Sequence, residues 1–255
     1  MNNKKINFNK KQYNSRNERL SDMLENGQLG LDDTFETSCR FCYGCCTYRD
    51  YVIMSAHDIF RCSKELNIST NDFINQYCWV TIGETSSLPV LQLKIEPKLN
   101  KCILLKNGVC RASASRPTTC ALFPLGRFAA IDEESGEKKV GYVFNGDSGC
   151  RKTRTYTVRE WLETNGMSGI DEIFHVWSDM IAHAGELVRE IKKHDIDEES
   201  LNILHTLLLT VMYDGYDTNE DFLPQLKKHN EALSNALKDI LQEIQDENQE
   251  DDSNE

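Results

Sequence analysis

The chain has 255 residues, with 41 Asp and Glu against 29 Lys and Arg, a formal net charge of -12 and a hydrophobic share of 39%. That is enough apolar material for a core that does not depend on cross-links. The acidic balance excludes a protein that coats nucleic-acid phosphates, which requires clustered cations. The N-terminal stretch MNNKKINFNKKQYNSRNERL has no apolar run of the signal-peptide kind. The best apolar run, from Leu201 to Met212, is about half of what a bilayer span needs and carries His205. The expectation is a soluble, cytoplasmic chain whose partners include neither nucleic acid nor membrane. In a reducing compartment its ten cysteines read as metal ligands or redox groups.

Residues 1–34 are expected to form a flexible basic arm, since through residue 20 six Lys or Arg stand against Glu18 alone and no apolar period is present. A short strand is predicted over Tyr51, Val52, Ile53 and Met54. Ser55-Ala56-His57-Asp58 then offers a capping box for a helix with Ile59, Cys62 and Leu66 on one face. Ser69-Thr70-Asn71-Asp72 starts a second helix, with Phe73, Ile74 and Tyr77 at helical spacing. The alternation from Leu88 to Ile95 predicts a strand, and Val140 to Phe144 another, after the turn-like stretch from Asp132 to Gly136.

Past residue 154 the period changes to helical. Val158 to Leu162 begins one helix. Ile170, Ile173, Phe174, Trp177, Ile181, Leu187, Val188 and Ile191 mark a long amphipathic one. Leu201, Leu204, Leu208 and Val211 mark a third, and Phe222, Leu226, Leu233, Leu237 and Ile244 a fourth. The final DENQEDDSNE reads as a solvated tail. The organisation expected is a basic arm (1–34), a cysteine-cluster domain (35–153), a helical extension (154–245) and an acidic disordered tail (246–255).

The chemistry lies in the cysteines. Cys39-Arg40-Phe41-Cys42-Tyr43-Gly44-Cys45-Cys46 places thiols three residues apart, a spacing at which a tight loop turns them towards one centre. Gly44 gives the backbone freedom such a loop needs. Four more cysteines follow outside the helical pattern: Cys102, Cys110, Cys120 and Cys150. Asn107-Gly108 predicts a tight hairpin that folds Cys110 back towards Cys102. Arg116-Pro117 stiffens the approach to Cys120, and Phe123-Pro124 ends that loop. Cys62 on an apolar helix face and Cys78 beside Trp79 read as inert packing residues. The expected metal ligands are therefore Cys39, Cys42, Cys45, Cys46, Cys102, Cys110, Cys120 and Cys150. His57, His175 and His183 lack cysteine neighbours at ligand spacing and read as surface or packing residues. No P-loop, Gly-rich dinucleotide turn, G-x-S-x-G or H-E-x-x-H is present.

These residues resemble the YkgJ-type cysteine-cluster proteins, a family described as a zinc- or iron-chelating domain. The match lies in C-x2-C-x2-C-C at Cys39, Cys42, Cys45 and Cys46, and in the series Cys102, Cys110, Arg116, Pro117, Cys120, Phe123 and Pro124. The hydrophobic–Ser–x–x–Asp–Ile pattern from Val52 to Ile59 and the run Asp72-Phe73-Ile74 also resemble it. Ala121 departs from the pattern, where members often carry a basic residue. The resemblance covers residues 35 to 150 and implies nothing about the helices beyond Thr155.

Four thiolates suit a closed tetrahedral zinc site, whereas C-x2-C-x2-C with a distant fourth thiolate suits a [4Fe–4S] iron–sulfur cluster better. The flagellin lysine methylases, which share this kind of cysteine motif, are associated with such a cluster. The fold expected is α+β: a small cysteine-rich metal-binding domain of short helices and strands, followed by an α-helical extension. The function expected is metal binding, with the helical extension free to contact a protein partner. The alternative is an iron–sulfur-dependent enzyme or electron carrier related to the flagellin lysine methylases.

Overall fold

A computed structural model of the chain describes residues 27–39, 44–48, 52–84, 86–96, 101–131, 138–146, 150–194 and 196–253. Cys42, most of the basic arm and the turn expected at 132–136 lie outside the described residues. In chain order the first elements are β1 (Gln28–Leu29), β2 (Thr34–Ser38), α1 (Gly44–Tyr48), β3 (Ile53–Met54), α2 (Ala56–Leu66), α3 (Thr70–Tyr77), β4 (Cys78–Ile82) and β5 (Pro89–Leu93). They are followed by β6 (Ile95–Glu96), β7 (Lys101–Cys102), β8 (Leu105–Lys106), β9 (Val109–Cys110), α4 (Thr118–Leu122), β10 (Leu125–Ile131), β11 (Lys138–Phe144) and β12 (Arg151–Thr157). The chain ends in four helices, α5 (Val158–Thr164), α6 (Asp171–Ile191), α7 (Glu198–Tyr213) and α8 (Phe222–Ser253). The mixture of helices with small antiparallel sheets is the α+β class. Among the described residues no helix is long and apolar enough to cross a membrane.

The chain divides into two compact units at points other than those expected. One comprises Met1–Arg40 with Leu122–Ser168, the other Phe41–Ala121 with Gly169–Glu255. The helices after residue 169 are thus no separate extension. They complete the core of the second unit, because neither their apolar stripes nor the small sheet they cover can be buried alone.

In the second unit, the capping box forms as its residues dictate. Ser55 Oγ accepts from the Asp58 amide at 3.2 Å, and Asp58 Oδ2 accepts from the Ser55 amide at 3.0 Å. Helix α2 stops where Asn67 turns left-handed at φ 53°. Ser69 caps α3 by accepting from the Asp72 amide at 3.0 Å. Strands β3, β5 and β4 form a sheet in that order, with Met54 and Val80 both opposite Leu91. Met54, Leu91, Ile59 and Phe73 are fully buried there.

The same core takes Met180, Ala184, Val188 and Ile191 from α6, Leu204, Leu208 and Met212 from α7, and Leu226, Leu233 and Leu237 from α8. The Tyr213 hydroxyl closes it by donating to Pro89 O at 3.0 Å. Helix α8 continues through 246–253, part of the stretch expected to be a disordered tail. Its Glu and Gln residues are good helix formers.

In the first unit, β10 and β11 make a hairpin-like pair with β1 on the outer side of β11. Gly141 is required in that pair, because a Cβ there would collide with the Phe128 ring. Strands β2 and β12 pair separately. Phe35 packs edge-on against Trp161 at 5.8 Å, and the Trp161 indole donates to Leu122 O at 2.9 Å.

Candidate metal centre

Four segments of the second unit carry the candidate thiols. The short helix α1 carries Cys45 and Cys46. Strand β7 carries Cys102, set opposite Ile95 of β6. The hairpin β8–β9 carries Cys110 opposite Leu105, and its two-residue loop, Asn107 and Gly108, has φ of 52° and 75°. Both values are positive, as a type I′ turn demands, and this is the turn expected from Asn-Gly. Helix α4 carries Cys120, whose amide donates to Pro117 O at 2.8 Å.

Electrostatic interactions link these thiols. The Cys46 thiol is held far above its ordinary range, first by its hydrogen bond with the Cys45 side chain, then by burial, then by charge on Cys45, Cys120 and Cys102. Burial also raises Cys102, followed by smaller effects that include the charges of Cys110 and Cys45. Cys110 is raised by burial as well, with Glu65 and Cys45 adding to it. Two of the sulfurs accept backbone amides: Leu104 and Leu105 donate to Cys102, and Ala112 donates to Cys110. Such amides lower a thiol's pKa because they stabilise the thiolate, the form that binds metal.

Helix α2 holds the last of these segments in place. The Thr118 amide and hydroxyl both donate to Asp58 Oδ1 at 2.7 Å. Arg61 Nη2 donates to Asp58 Oδ1 at 3.2 Å and to Arg116 O at 2.9 Å. Glu65 accepts the Ala114 amide at 3.2 Å and the Ser115 amide at 2.7 Å. Cys62 Sγ donates to Ser115 O at 3.2 Å.

Asp58, Arg61, Cys62 and Glu65 share one helix face at i, i+3, i+4 and i+7. Together they fix residues 114–118, the approach to Cys120. Burial alone would raise Asp58, but the Arg61 guanidinium and the donors Thr118 and Ser55 outweigh it and hold the carboxyl below its usual range. The capping box was legible in the sequence. The clamp on Thr118 was not, although an acid, a base, a thiol and a second acid on one face of a core helix is a signal that could have found it.

Cys62 and Cys78 are buried, as expected of packing residues. Burial pushes the Cys62 thiol well up and the Cys78 thiol up to about 12. Cys39 and Cys150 belong to the other compact unit, Cys39 exposed and Cys150 half-buried. The described cysteines are all reduced. Among the described residues no three His, Cys, Asp or Glu side chains stand close enough to enclose one metal ion. In chemistry the donor set does fit a soft metal: Cys45, Cys46, Cys102, Cys110 and Cys120 are all thiols, and their ionised forms would repel one another unless a cation lay among them. No family model, curated protein or solved structure matches the chain.

Proposed function

We propose that the second unit binds a metal centre through Cys45, Cys46, Cys102, Cys110 and Cys120, with Cys42 of the same motif as a further ligand, and that the occupant is an iron–sulfur cluster. Zinc is the competing occupant of the same thiols. One observation carries the reading: charge on Cys45, Cys120 and Cys102 bears on Cys46, and charge on Cys110 and Cys45 bears on Cys102, so ionising these thiols together carries a cost that a bound cation would remove. The amides directed at Cys102 and Cys110 support it, since N–H···S hydrogen bonds tune iron–sulfur centres and stabilise thiolates. The motif resemblance at Cys39 to Cys46 and Cys102 to Cys120 supports it from the sequence side. When bound, a cluster would supply one-electron chemistry, and zinc would supply cross-linking of the loops. The chain's own residues orient the thiols, and α2 holds the Cys120 segment through Asp58, Arg61 and Glu65.

The test is anaerobic purification followed by a visible spectrum and iron, sulfide and zinc analysis. A brown protein with about four irons and four sulfides per chain is the expected result. A colourless protein with stoichiometric zinc that unfolds on chelation would favour the competing occupant. A protein that holds neither would refute the reading. Cys46→Ser is expected to abolish metal retention, and Cys78→Ala to leave it intact.

A further inference from the structure

Strands β2 and β12 run antiparallel, with Thr34 opposite Thr157, Phe35 opposite Tyr156 and Glu36 opposite Thr155. After an irregularity the pairing resumes with Ser38 opposite Arg151. One step further in that register stand Cys39, directly after β2, and Cys150, directly before β12. Residues directly opposite in an antiparallel pair have Cα atoms about 4.5–5.5 Å apart. A disulfide accepts about 4.4–6.8 Å. Both residues belong to the same compact unit. Both are reduced, Cys39 exposed and Cys150 half-buried.

We propose that Cys39 and Cys150 are a cross-strand dithiol that a low-molecular-weight disulfide, such as oxidised glutathione, converts into an intramolecular disulfide. The thiolate of exposed Cys39 attacks one sulfur of the oxidant, forming a mixed disulfide and releasing one thiol. The Cys150 thiolate then displaces the second glutathione. Two protein thiols are oxidised, each losing its proton to solvent or to a leaving thiolate, and one external disulfide is reduced to two thiols. The bond closes a covalent ring that contains the segment from Cys45 to Cys120 and ties β2 to β12 just past the Ser38–Arg151 pair that ends their ladder. This reading takes Cys39 and Cys150, expected from the sequence as metal ligands, out of the ligand set of the proposed centre in the second unit.

The test uses full-length wild-type protein, metal-free and metal-loaded, incubated anaerobically with oxidised glutathione, alkylated and mapped under non-reducing conditions. The expected result is a Cys39–Cys150 peptide as the first intramolecular disulfide to appear, at similar rates in both preparations. Cys150→Ser should accumulate glutathione on Cys39, and Cys39→Ser should leave Cys150 largely unmodified. Linkage of either residue mainly to other cysteines, or absence of the linked peptide, would overturn the proposal. Protection of both thiols in the loaded protein would also overturn it, by making them ligands. The decisive map comes from metal-free wild-type protein, so it stands whether or not metal analysis bears out the centre in the second unit.

Discussion

The second unit is held together in two different ways. The helical region of α6, α7 and α8 is held by apolar side chains at helical spacing, with Leu208, Met212 and Leu237 fully buried. The thiol-bearing stretch from residue 101 to 120 contributes only Leu104 and Ala112 to the buried hydrophobic residues. Its shape comes from the Asn107–Gly108 turn and from the polar face of α2. The two regions should therefore fail differently. Apolar burial is non-directional and tolerates small shifts, whereas a set of thiols needs fixed positions and cannot supply a core of its own.

The largest effect on folding is expected in the helical region. Leu208→Ala removes a fully buried side chain and should lower the unfolding free energy by about 3–5 kcal/mol. In the protein that remains folded, the reactivity of Cys46 and Cys120 towards an alkylating agent should not change. A denaturation curve and a thiol-labelling time course on the same sample check both halves. If labelling of Cys120 accelerated without unfolding, the two regions would not be separable as claimed.

Asp58→Asn should be smaller in stability and larger in consequence for the thiols. It removes the charge that Thr118, Ser55 and Arg61 surround, at about 2–3 kcal/mol, the scale of hydrogen bonds to a charged group. Faster labelling of Cys120 and weaker metal retention should accompany that loss. Its pH dependence has a definite sign. The folded carboxyl lies below the usual 3.8, so its contribution is present in full above that value. It declines as pH falls from there through the lower folded value. The stability gap between wild type and Asp58→Asn should therefore be constant near neutrality and close in acid. A gap that widened on acidification would contradict the assignment.

What could be read from the sequence was local. The caps at Ser55 and Ser69, the Asn107–Gly108 turn and the apolar stripes of α6 to α8 depend on residues within a few positions of one another, and each appears where expected. What could not be read was long-range or without an apolar period. Thr118 is 60 residues from Asp58, so nothing in the capping box announces its second partner. Strand β12 reads RKTRTYT, with its first five residues exposed. It lacks the alternation that marks a strand, so its pairing with β2, which sets Cys39 and Cys150 just past the same end of one ladder, was invisible. The division into units was hidden for a related reason. An amphipathic helix shows that a face must be buried, but not against which segment.

The smallest effect expected separates a packing thiol from the candidate ligands. Cys62 is fully buried and donates its thiol to Ser115 O. Burial, and after it the neighbouring Asp58 charge, keeps that thiol protonated. A neutral thiol donating to a carbonyl is the opposite of what a metal ligand must be. Cys62→Ala should then cost about 1 kcal/mol, the scale of one small buried group, and leave metal content unchanged. Loss of metal in that variant would move Cys62 into the ligand set. It would also mean that α2 supplies the centre directly instead of only holding the loop that carries Cys120.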